Sequence, residues 1–103
     1  MAKKEARRRA YSLLKKIPKG KVITYGEIAK AVDVHPRLVG AFMRSNKDTK
    51  SIPCYKVVRS DGSLGGYSAG GAEKKAELLK GEGIGVKGGK IDLKRHGYRL
   101  SKS

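Results

Sequence analysis

The segment that decides the fold is residues 24–46, TYGEIAKAVDVHPRLVGAFMRSN. Thr24 stands three residues before Glu27, which is the spacing of a capping box at a helix N-terminus. The apolar residues that follow share one helical face: Tyr25, Ile28, Ala29 and Val32. Residues 33–35 break this pattern, and Pro36 suits the first turn of a new helix. The segment therefore predicts two short helices, the second of which runs to about Asn46.

Two short helices joined by a three-residue break form the pattern of a helix-turn-helix, although an ordinary helical hairpin has the same spacing. Arg37 lies just inside the second helix. Gly40 is less favourable there than Ala by about 1 kcal/mol, which indicates close approach of a nucleotide or of another backbone. Close packing between the helices explains Gly40 equally well.

The flanking sequence predicts further helices. Apolar residues within 10–17 recur at helical spacing and end at Pro18. Residues 72–80 predict another helix, which Gly81 ends. Three side chains of that helix are expected to face inward: Ala72, Ala76 and Leu79.

Short strands and turns are expected between and after these helices. Val57–Val58 predicts a strand, and Asp61–Gly62 predicts a hairpin turn to residues 64–67, which would form a β wing. Gly88–Gly89 predicts a second hairpin, with residues 84–86 and 90–93 as its two strands. The predicted fold class is mainly α with small β hairpins, in one winged helix-turn-helix-like domain over residues 1–103. Residues 1–4 and 96–103 are expected to be loose basic ends.

The charge of the chain indicates a polyanionic partner. Twenty-five Lys and Arg residues against nine Asp and Glu residues give a net charge of +16 and an isoelectric point near 10.2. Neutralising phosphates releases counterions, so nucleic acid is the expected partner. A heat-adapted surface is the alternative.

Cys54 is the single cysteine of the sequence, so no internal disulfide is possible, and two histidines add too few ligands for a structural zinc site. A lone cysteine is more often a small buried hydrophobe than a nucleophile. Here Pro53 fixes the preceding backbone, and the positive field favours thiolate over thiol. The sequence shows no signal peptide and no membrane-spanning run, so we expect a cytoplasmic, DNA-associated protein without a metal or membrane partner.

Five segments resemble the O6-alkylguanine-DNA alkyltransferases, also called methylated-DNA-protein-cysteine methyltransferases. IPCYKVV at residues 52–58 resembles the Pro-Cys-His-Arg-Val motif of that family. The other matching segments are IPKGKVITYGEIA at 17–29, PRLVGAFMRSN at 36–46, DGSLGGYS at 61–68 and LLKGEG at 78–83. The resemblance extends from about residue 5 to residue 85. It covers the active-site domain of the family and lacks the N-terminal α/β domain of larger members.

The resemblance implies a single-turnover repair reaction on double-stranded DNA containing alkylated guanine. Cys54 would accept the alkyl group irreversibly, without a cofactor, from a base that is flipped out of the duplex. Tyr25 would steer a phosphate and donate to the guanine, and Arg37 would fill the space that the base leaves. Gly40 and Arg44 lie on the helix that would enter the minor groove. The simplest expectation for the assembly is a monomer.

The same resemblance assigns roles around the reactive sulfur. Asn46 matches a hinge between the recognition helix and the active-site loop, and it is grouped with the residues expected to bind DNA. Three residues match the lesion pocket: Pro53, Tyr67 and Ser68. Glu82 matches a buried glutamate that, in the family, orients a histidine that takes the cysteine proton through water.

Tyr55 occupies the position of that histidine, and a phenol with a pKa near 10 is a poor base at neutral pH. Lys56 replaces the arginine of the motif, whereas His35 and His96 lie in segments unsuited to substitute for the missing histidine. Two outcomes are open: transfer that persists while Tyr55 bridges Glu82 and water, or damage binding without repair. Family members that only bind lesions lack the cysteine, so Cys54 favours transfer. A basic RNA-binding protein is a third class, supported by charge alone.

Overall fold

The computed structural model describes residues 3–67 and 69–99. Five α-helices lie in these residues: α1 (Lys3–Lys15), α2 (Tyr25–Val32), α3 (Pro36–Arg44), α4 (Gly71–Gly81) and α5 (Leu93–His96). A short 3₁₀ helix covers Cys54–Lys56, and two strands are present, β1 (Ile23–Thr24) and β2 (Val57–Val58). The predicted mainly α fold is confirmed. Across the described ranges, every helix is too short or too polar to cross a membrane.

The two helices of the deciding segment begin and end on local signals. The Thr24 hydroxyl accepts a hydrogen bond from the Glu27 backbone N–H at 3.1 Å, which caps α2. Asp33 ends α2 in the left-handed region, with φ 56°. His35 then caps α3 by accepting from the Arg37 N–H at 3.0 Å. The predicted helix pair is confirmed, although α3 ends at Arg44 rather than near Asn46.

The prediction of a β wing is wrong, because β2 pairs with a strand that is distant in the sequence. It pairs in parallel with β1, with Ile23 opposite Val57 and Thr24 opposite Val58. The Asp61–Gly62 turn does form, since Gly62 donates its N–H to the Arg59 carbonyl at 2.9 Å. Beyond the turn, residues 64–67 form no strand.

The second predicted hairpin reduces to a tight turn in the structure. The Lys87 and Lys90 backbones exchange hydrogen bonds at 2.9 and 3.0 Å around Gly88–Gly89. Lys90 also bridges Ser63 in antiparallel orientation, as an isolated pair. Leu93, expected in the return strand, instead begins α5.

The small sheet separates two apolar clusters because successive side chains of a strand point to opposite faces. Ile23 and Val57 join the first cluster, which packs α1, α2 and α3 together. Val22 and Val58 join the second. Its other buried members are Leu64, Leu79, Ile84 and Ile91. The sheet thus fixes the helix-turn-helix on one side and α4 on the other.

The inward face of α4 differs from the prediction. Ala72 is exposed, Ala76 is half-buried, and the fully buried residues are Leu79 and Lys75. A helix of this sequence places Lys75 on the same side as Leu79, four residues later. The lysine rather than the alanine therefore points into the protein.

The described parts of the two chain ends, residues 3–4 and 96–99, include helical residues and backbone hydrogen bonds to the rest of the protein. Lys3 and Lys4 belong to α1. The segment after Ile91 folds back on the turn before β1: the Val22 N–H donates to the His96 carbonyl at 2.8 Å, and the Tyr98 N–H donates to the Val22 carbonyl at 2.7 Å. Residues 100–103 lie outside the described residues.

We predict that Thr24→Ala lowers the free energy of unfolding by about 1 kcal/mol, because the substitution leaves the first turn of α2 without its capping oxygen. Chemical denaturation followed by circular dichroism measures the change. Thr24→Ser is the matched control, since it keeps the hydroxyl and should remain close to the wild-type stability. Equal losses in both variants would contradict a capping role.

Candidate active site

Cys54 lies at the base of a pocket of about 250 Å³ between α3 and the segment that follows β2. The Cys54 side chain is 4% exposed. Its neighbours in the pocket wall are Tyr25, Gly40, Met43, Arg44, Gly66 and Tyr67. Four residues that the sequence predicted for separate roles, Tyr25, Gly40, Arg44 and Tyr67, therefore meet around Cys54. Of the other two residues predicted for the lesion pocket, Pro53 does not line this pocket, and Ser68 lies outside the described residues.

The backbone around Cys54 is held by a tight turn and by Asn46. Pro53 precedes the 3₁₀ helix, and the Cys54 N–H donates to the Ile52 carbonyl at 2.8 Å. Asn46 is buried; its amide nitrogen donates to that same Ile52 carbonyl at 2.9 Å, and its oxygen accepts from the Asp48 N–H. Asn46 thus ties the end of α3 to the active-site segment. With both polar atoms used internally, the structure gives Asn46 a positioning role, whereas the sequence had grouped it with the DNA contacts.

Lys75 is fully buried behind the pocket wall, and its ammonium group is held by backbone carbonyls. It donates to the carbonyl oxygens of Val57 at 2.6 Å, Leu64 at 2.5 Å and Gly66 at 3.2 Å. The nitrogen lies 5.9 Å from the centre of the Tyr25 ring. Burial lowers the pKa of Lys75 to about 8, although the negative charge that Cys54 can carry opposes this shift. Lys75 is therefore an electrostatic neighbour of the Cys54 sulfur.

Glu82 lies beside the 3₁₀ helix and interacts with three donors from two segments. The Tyr55 hydroxyl donates to one carboxylate oxygen. The other oxygen accepts from the Gly20 N–H at 3.1 Å and pairs with the Lys56 ammonium at 3.2 Å. Burial acts to raise the pKa of Glu82, but these hydrogen bonds and the Lys56 charge hold it below its ordinary value. Glu82 is consequently ionised near neutral pH.

Tyr55 serves this network only as a hydrogen-bond donor. Burial, the hydrogen bond to Glu82 and the Glu82 charge together raise the pKa of Tyr55 well above its ordinary value. A phenol that stays protonated at neutral pH cannot accept the proton of a neighbouring thiol. The predicted contact between Tyr55 and Glu82 is therefore present in the structure, whereas the residue in the histidine position cannot act as a base.

The two tyrosines of the pocket wall are also hydrogen-bond donors at neutral pH. Burial raises the pKa of Tyr25, against the opposing charge of Arg59. Burial likewise raises the pKa of Tyr67, and the charge that Cys54 can carry adds to this rise. A neutral phenol beside Cys54 can donate a proton to a bound base.

The exposed side of α3 carries the predicted DNA-reading residues. Arg37 is exposed near the helix start and lies outside the Cys54 pocket. A methyl group placed on Gly40 would meet only the Arg44 side chain, at 3.5 Å, which is ordinary contact. Packing against another backbone therefore does not require this glycine. Gly40 lines the pocket. Close approach of a nucleotide is therefore the predicted reason that remains for a glycine at this position.

The geometry agrees with comparisons against known proteins. A family described as "6-O-methylguanine DNA methyltransferase, DNA binding domain" matches residues 5–84. The chain belongs to this family. The predicted resemblance is thereby confirmed over most of the sequence.

Several relatives show how much of the family this chain covers. A bifunctional methyltransferase/endonuclease from Picrophilus torridus is 51% identical over 90 residues, which are 85% of this chain and 30% of that protein. The crystal structure of the O6-methylguanine-DNA methyltransferase from Pyrococcus kodakaraensis strain KOD1 matches with a TM-score of 0.69 and 43% identity, over 76% of this chain and 46% of that one. The chain thus spans less than half of each of these two proteins.

One solved structure is similar along nearly its whole length. S. pombe Atl1, in complex with damaged DNA containing O6-carboxymethylguanine, matches with a TM-score of 0.86 and 29% identity. The match covers 96% of this chain and 99% of that one. This chain is therefore similar, over nearly its whole described length, to a protein that forms a complex with damaged DNA.

Sequence reasoning missed Lys75 and Met43. Met43 lies in a segment that the resemblance did match, but without a role for this residue. The signal for Lys75 was available: a lysine in the apolar stripe of α4, four residues before Leu79, indicates a buried charge that needs partners. The carbonyl groups that bind it come from residues distant in sequence, which a helical pattern cannot reveal.

We predict that Tyr55→Phe destabilises the protein most at intermediate pH. The lowered pKa of Glu82 gives stability that is present above the ordinary carboxyl value of 4.5 and lost as the pH falls. The raised pKa of Tyr55 gives stability that is present below the ordinary phenol value of 10.0 and lost as the pH rises past it. The difference in unfolding free energy between wild type and variant should therefore be smaller at acid pH and at alkaline pH than at intermediate pH.

Urea denaturation at a series of pH values measures this difference. Tyr98→Phe is the control, because it removes a phenol outside the Glu82 network. A Tyr55→Phe penalty that stays constant from acid to alkaline pH would contradict the proposed coupling.

Proposed function

We propose that this chain binds duplex DNA and transfers an alkyl group from O6 of guanine to the Cys54 sulfur, in a reaction that consumes the protein. The observation that carries the proposal is the pocket itself. A lone cysteine lies at its base, two protonated tyrosines line its wall, and a predicted DNA-reading helix forms its rim. Each of these groups has a use in direct reversal of alkylation.

The proposed step is a displacement at carbon. The Cys54 thiolate attacks the alkyl carbon, a carbon–sulfur bond forms, and the bond from that carbon to guanine O6 breaks. The bonding electrons remain on the guanine, which regains neutrality by accepting a proton. The net change is the exchange of the thiol proton for the alkyl group, so no metal or cofactor enters the balance.

Tyr25 is the proposed donor to the guanine. Its phenol lines the pocket with Cys54, and its raised pKa keeps the hydroxyl protonated at neutral pH. A hydrogen bond from a phenol strengthens as negative charge develops on the purine, so it stabilises the transition state more than the bound lesion.

Lys75 is the proposed support for the thiolate. Tyr55 cannot take the thiol proton, because its phenol is committed to Glu82. The Lys75 ammonium acts on Cys54 through electrostatic attraction instead. A positive charge in a pocket shielded from water favours thiolate over thiol more strongly than the same charge on the surface.

The size of the pocket favours a flipped base. A volume of about 250 Å³ is at or below the range of small-molecule sites, roughly 300–1,000 Å³. Such a pocket suits one base without its sugar and phosphate. Extruding a base costs less when the pair is damaged, which adds selectivity for the lesion.

Damage binding without transfer is the second candidate function. Tyr55 in place of a general base favours it, and so does the similarity to Atl1 along nearly the full length of both chains. Cys54 at the base of the pocket favours transfer. The two functions share the DNA complex and differ only in whether a new carbon–sulfur bond forms.

Mixing the protein with a duplex that contains one O6-methylguanine should add the mass of a single methyl group to the protein. Intact-mass spectrometry detects the adduct, and peptide mapping should locate it at Cys54. Cys54→Ser is the control, which should bind the duplex and gain no mass. A wild-type protein that binds the lesion but stays unmodified from pH 6 to pH 9 would establish the binding function instead.

Lys75→Met should slow alkylation of Cys54 by iodoacetamide about tenfold at pH 7, the scale expected when one neighbouring opposite charge is lost. The rate should recover as the pH rises, because hydroxide then removes the proton. Lys74→Met is the matched control, since Lys74 is an exposed neighbour that pairs with Glu77.

The Lys75→Met protein also loses three hydrogen bonds, so its folding must be checked by thermal unfolding before its rate is compared. A folded variant that reacts like the wild type at every pH would contradict a role of Lys75 in thiolate formation. The pH dependence of the wild-type iodoacetamide rate gives a second test. The attraction between Lys75 and Cys54 should weaken as the pH passes the lysine pKa of about 8.

A further inference from the structure

A second concave surface, which we call the arginine cleft, lies beside the Cys54 pocket. It has a volume of about 330 Å³. Three guanidinium groups border it, from Arg37, Arg44 and Arg59, and none of the described lining residues is acidic. Arg37 and Arg44 belong to α3, but Arg59 follows β2 and has no role in the function proposed above.

The arginine cleft and the Cys54 pocket are parts of one continuous surface. Tyr25, Gly40, Arg44 and Gly66 line both of them. A nucleotide whose base occupies the pocket therefore carries its sugar and phosphates out through an opening that the cleft borders. The distance between a base and its own phosphates is short, so those phosphates must lie close to the cleft.

The backbone of Arg59 is fixed by the turn that follows β2. Its N–H donates to the Ser63 carbonyl at 2.9 Å, and its carbonyl accepts from the Gly62 N–H at 2.9 Å. Gly62 adopts φ +90°, and a β-carbon there would lie 2.5 Å from the Ile91 carbonyl oxygen. The turn is therefore closely specified, and it sets the direction in which Arg59 leaves the backbone.

The Arg59 side chain meets Tyr25 across Gly65. A β-carbon at Gly65 would lie 3.4 Å from the Tyr25 hydroxyl and 3.7 Å from Nε of Arg59. Gly65 also adopts φ +73°, which strains any other residue. The glycine thus leaves room for the phenol and the guanidinium to lie side by side at the mouth of the pocket. Their proximity agrees with the opposing effect of the Arg59 charge on the pKa of Tyr25.

We infer that Arg59 binds a phosphodiester next to the extruded nucleotide, together with Arg44, which also borders the cleft. This inference rests on the proposed function, because it requires a base in the Cys54 pocket. A guanidinium presents a planar pair of donors to two phosphate oxygens. Arg59 would hold the backbone rotated outward, while the Tyr25 hydroxyl remains available to the base.

Arg59→Gln should weaken binding to an O6-methylguanine duplex roughly 10- to 100-fold, the scale of one lost charge-assisted hydrogen bond. The titration uses the Cys54→Ser background, so that no transfer occurs during binding. Arg95→Gln is the matched control, because it removes the same charge from α5 and does not line the cleft. A loss no greater than that of the control would overturn the inference.

Neutral methylphosphonates placed on either side of the lesion, one at a time, identify the partner of Arg59. At one of the two positions, the difference in affinity between the proteins with and without the Arg59→Gln substitution should disappear, since the charge that Arg59 binds is gone. A difference that persists in full at both positions would overturn the inference.

The failure of this inference can be distinguished from failure of the proposed function. The proposed transfer fails if the wild type does not become alkylated, whatever the Arg59→Gln result. The inference about Arg59 fails if the wild type prefers the lesion duplex and the methylphosphonates leave the Arg59→Gln penalty unchanged.

Discussion

The Lys75 ammonium group and the backbone carbonyls around it depend on each other. A buried charge costs several kcal/mol unless hydrogen bonds replace its water. Val57, Leu64 and Gly66 supply those bonds from β2 and from the segment after it. That segment forms no strand, so the same ammonium replaces the partners that a sheet would have given its carbonyls. One lysine on α4 thereby fixes the wall of the Cys54 pocket from behind.

The Glu82 carboxylate has the corresponding role beside the 3₁₀ helix. It gathers donors from the turn at Gly20 and from Tyr55 and Lys56, two consecutive residues after Cys54. Lys56 extends the connection, since its ammonium also donates to the Ile17 carbonyl at 3.0 Å. The Cys54 segment is therefore held between the buried cation of Lys75 and the partly buried anion of Glu82, which explains how so short a helix can present its sulfur in one direction.

What the sequence could predict follows from how far apart the interacting residues are. The helix pair was predictable because its capping residue Thr24, its break and Pro36 act on their immediate neighbours. The pairing of Ile23 with Val57 was not predictable. The residues around a two-residue strand carry no signal for a parallel partner that is distant in the sequence. The prediction of a turn at Asp61–Gly62 was correct. The prediction of a hairpin there was wrong, because β2 pairs with the distant β1.

In the candidate site, too, some residues were predictable from the sequence and others depend on contacts between distant segments. The family motif located Cys54, Tyr25 and Tyr67, which the fold brings into one pocket. It gave no role to Lys75 or Arg59, because their surroundings are formed by carbonyl groups and glycines of other segments. The buried Asn46 was recognised as a hinge by resemblance, but its lack of a free polar atom became visible only in three dimensions.

A net charge of +16 attracts phosphate all over the surface, so it cannot by itself tell a lesion from normal DNA. Selectivity must come from groups that DNA phosphates do not neutralise. Lys75 is such a group, because it lies behind the Tyr25 ring and beneath the pocket, out of reach of the backbone. The arginines of the cleft are exposed to phosphate and lose much of their field once DNA binds. On the proposed function, the charge that supports the Cys54 thiolate is thus kept separate from the charges that hold the DNA.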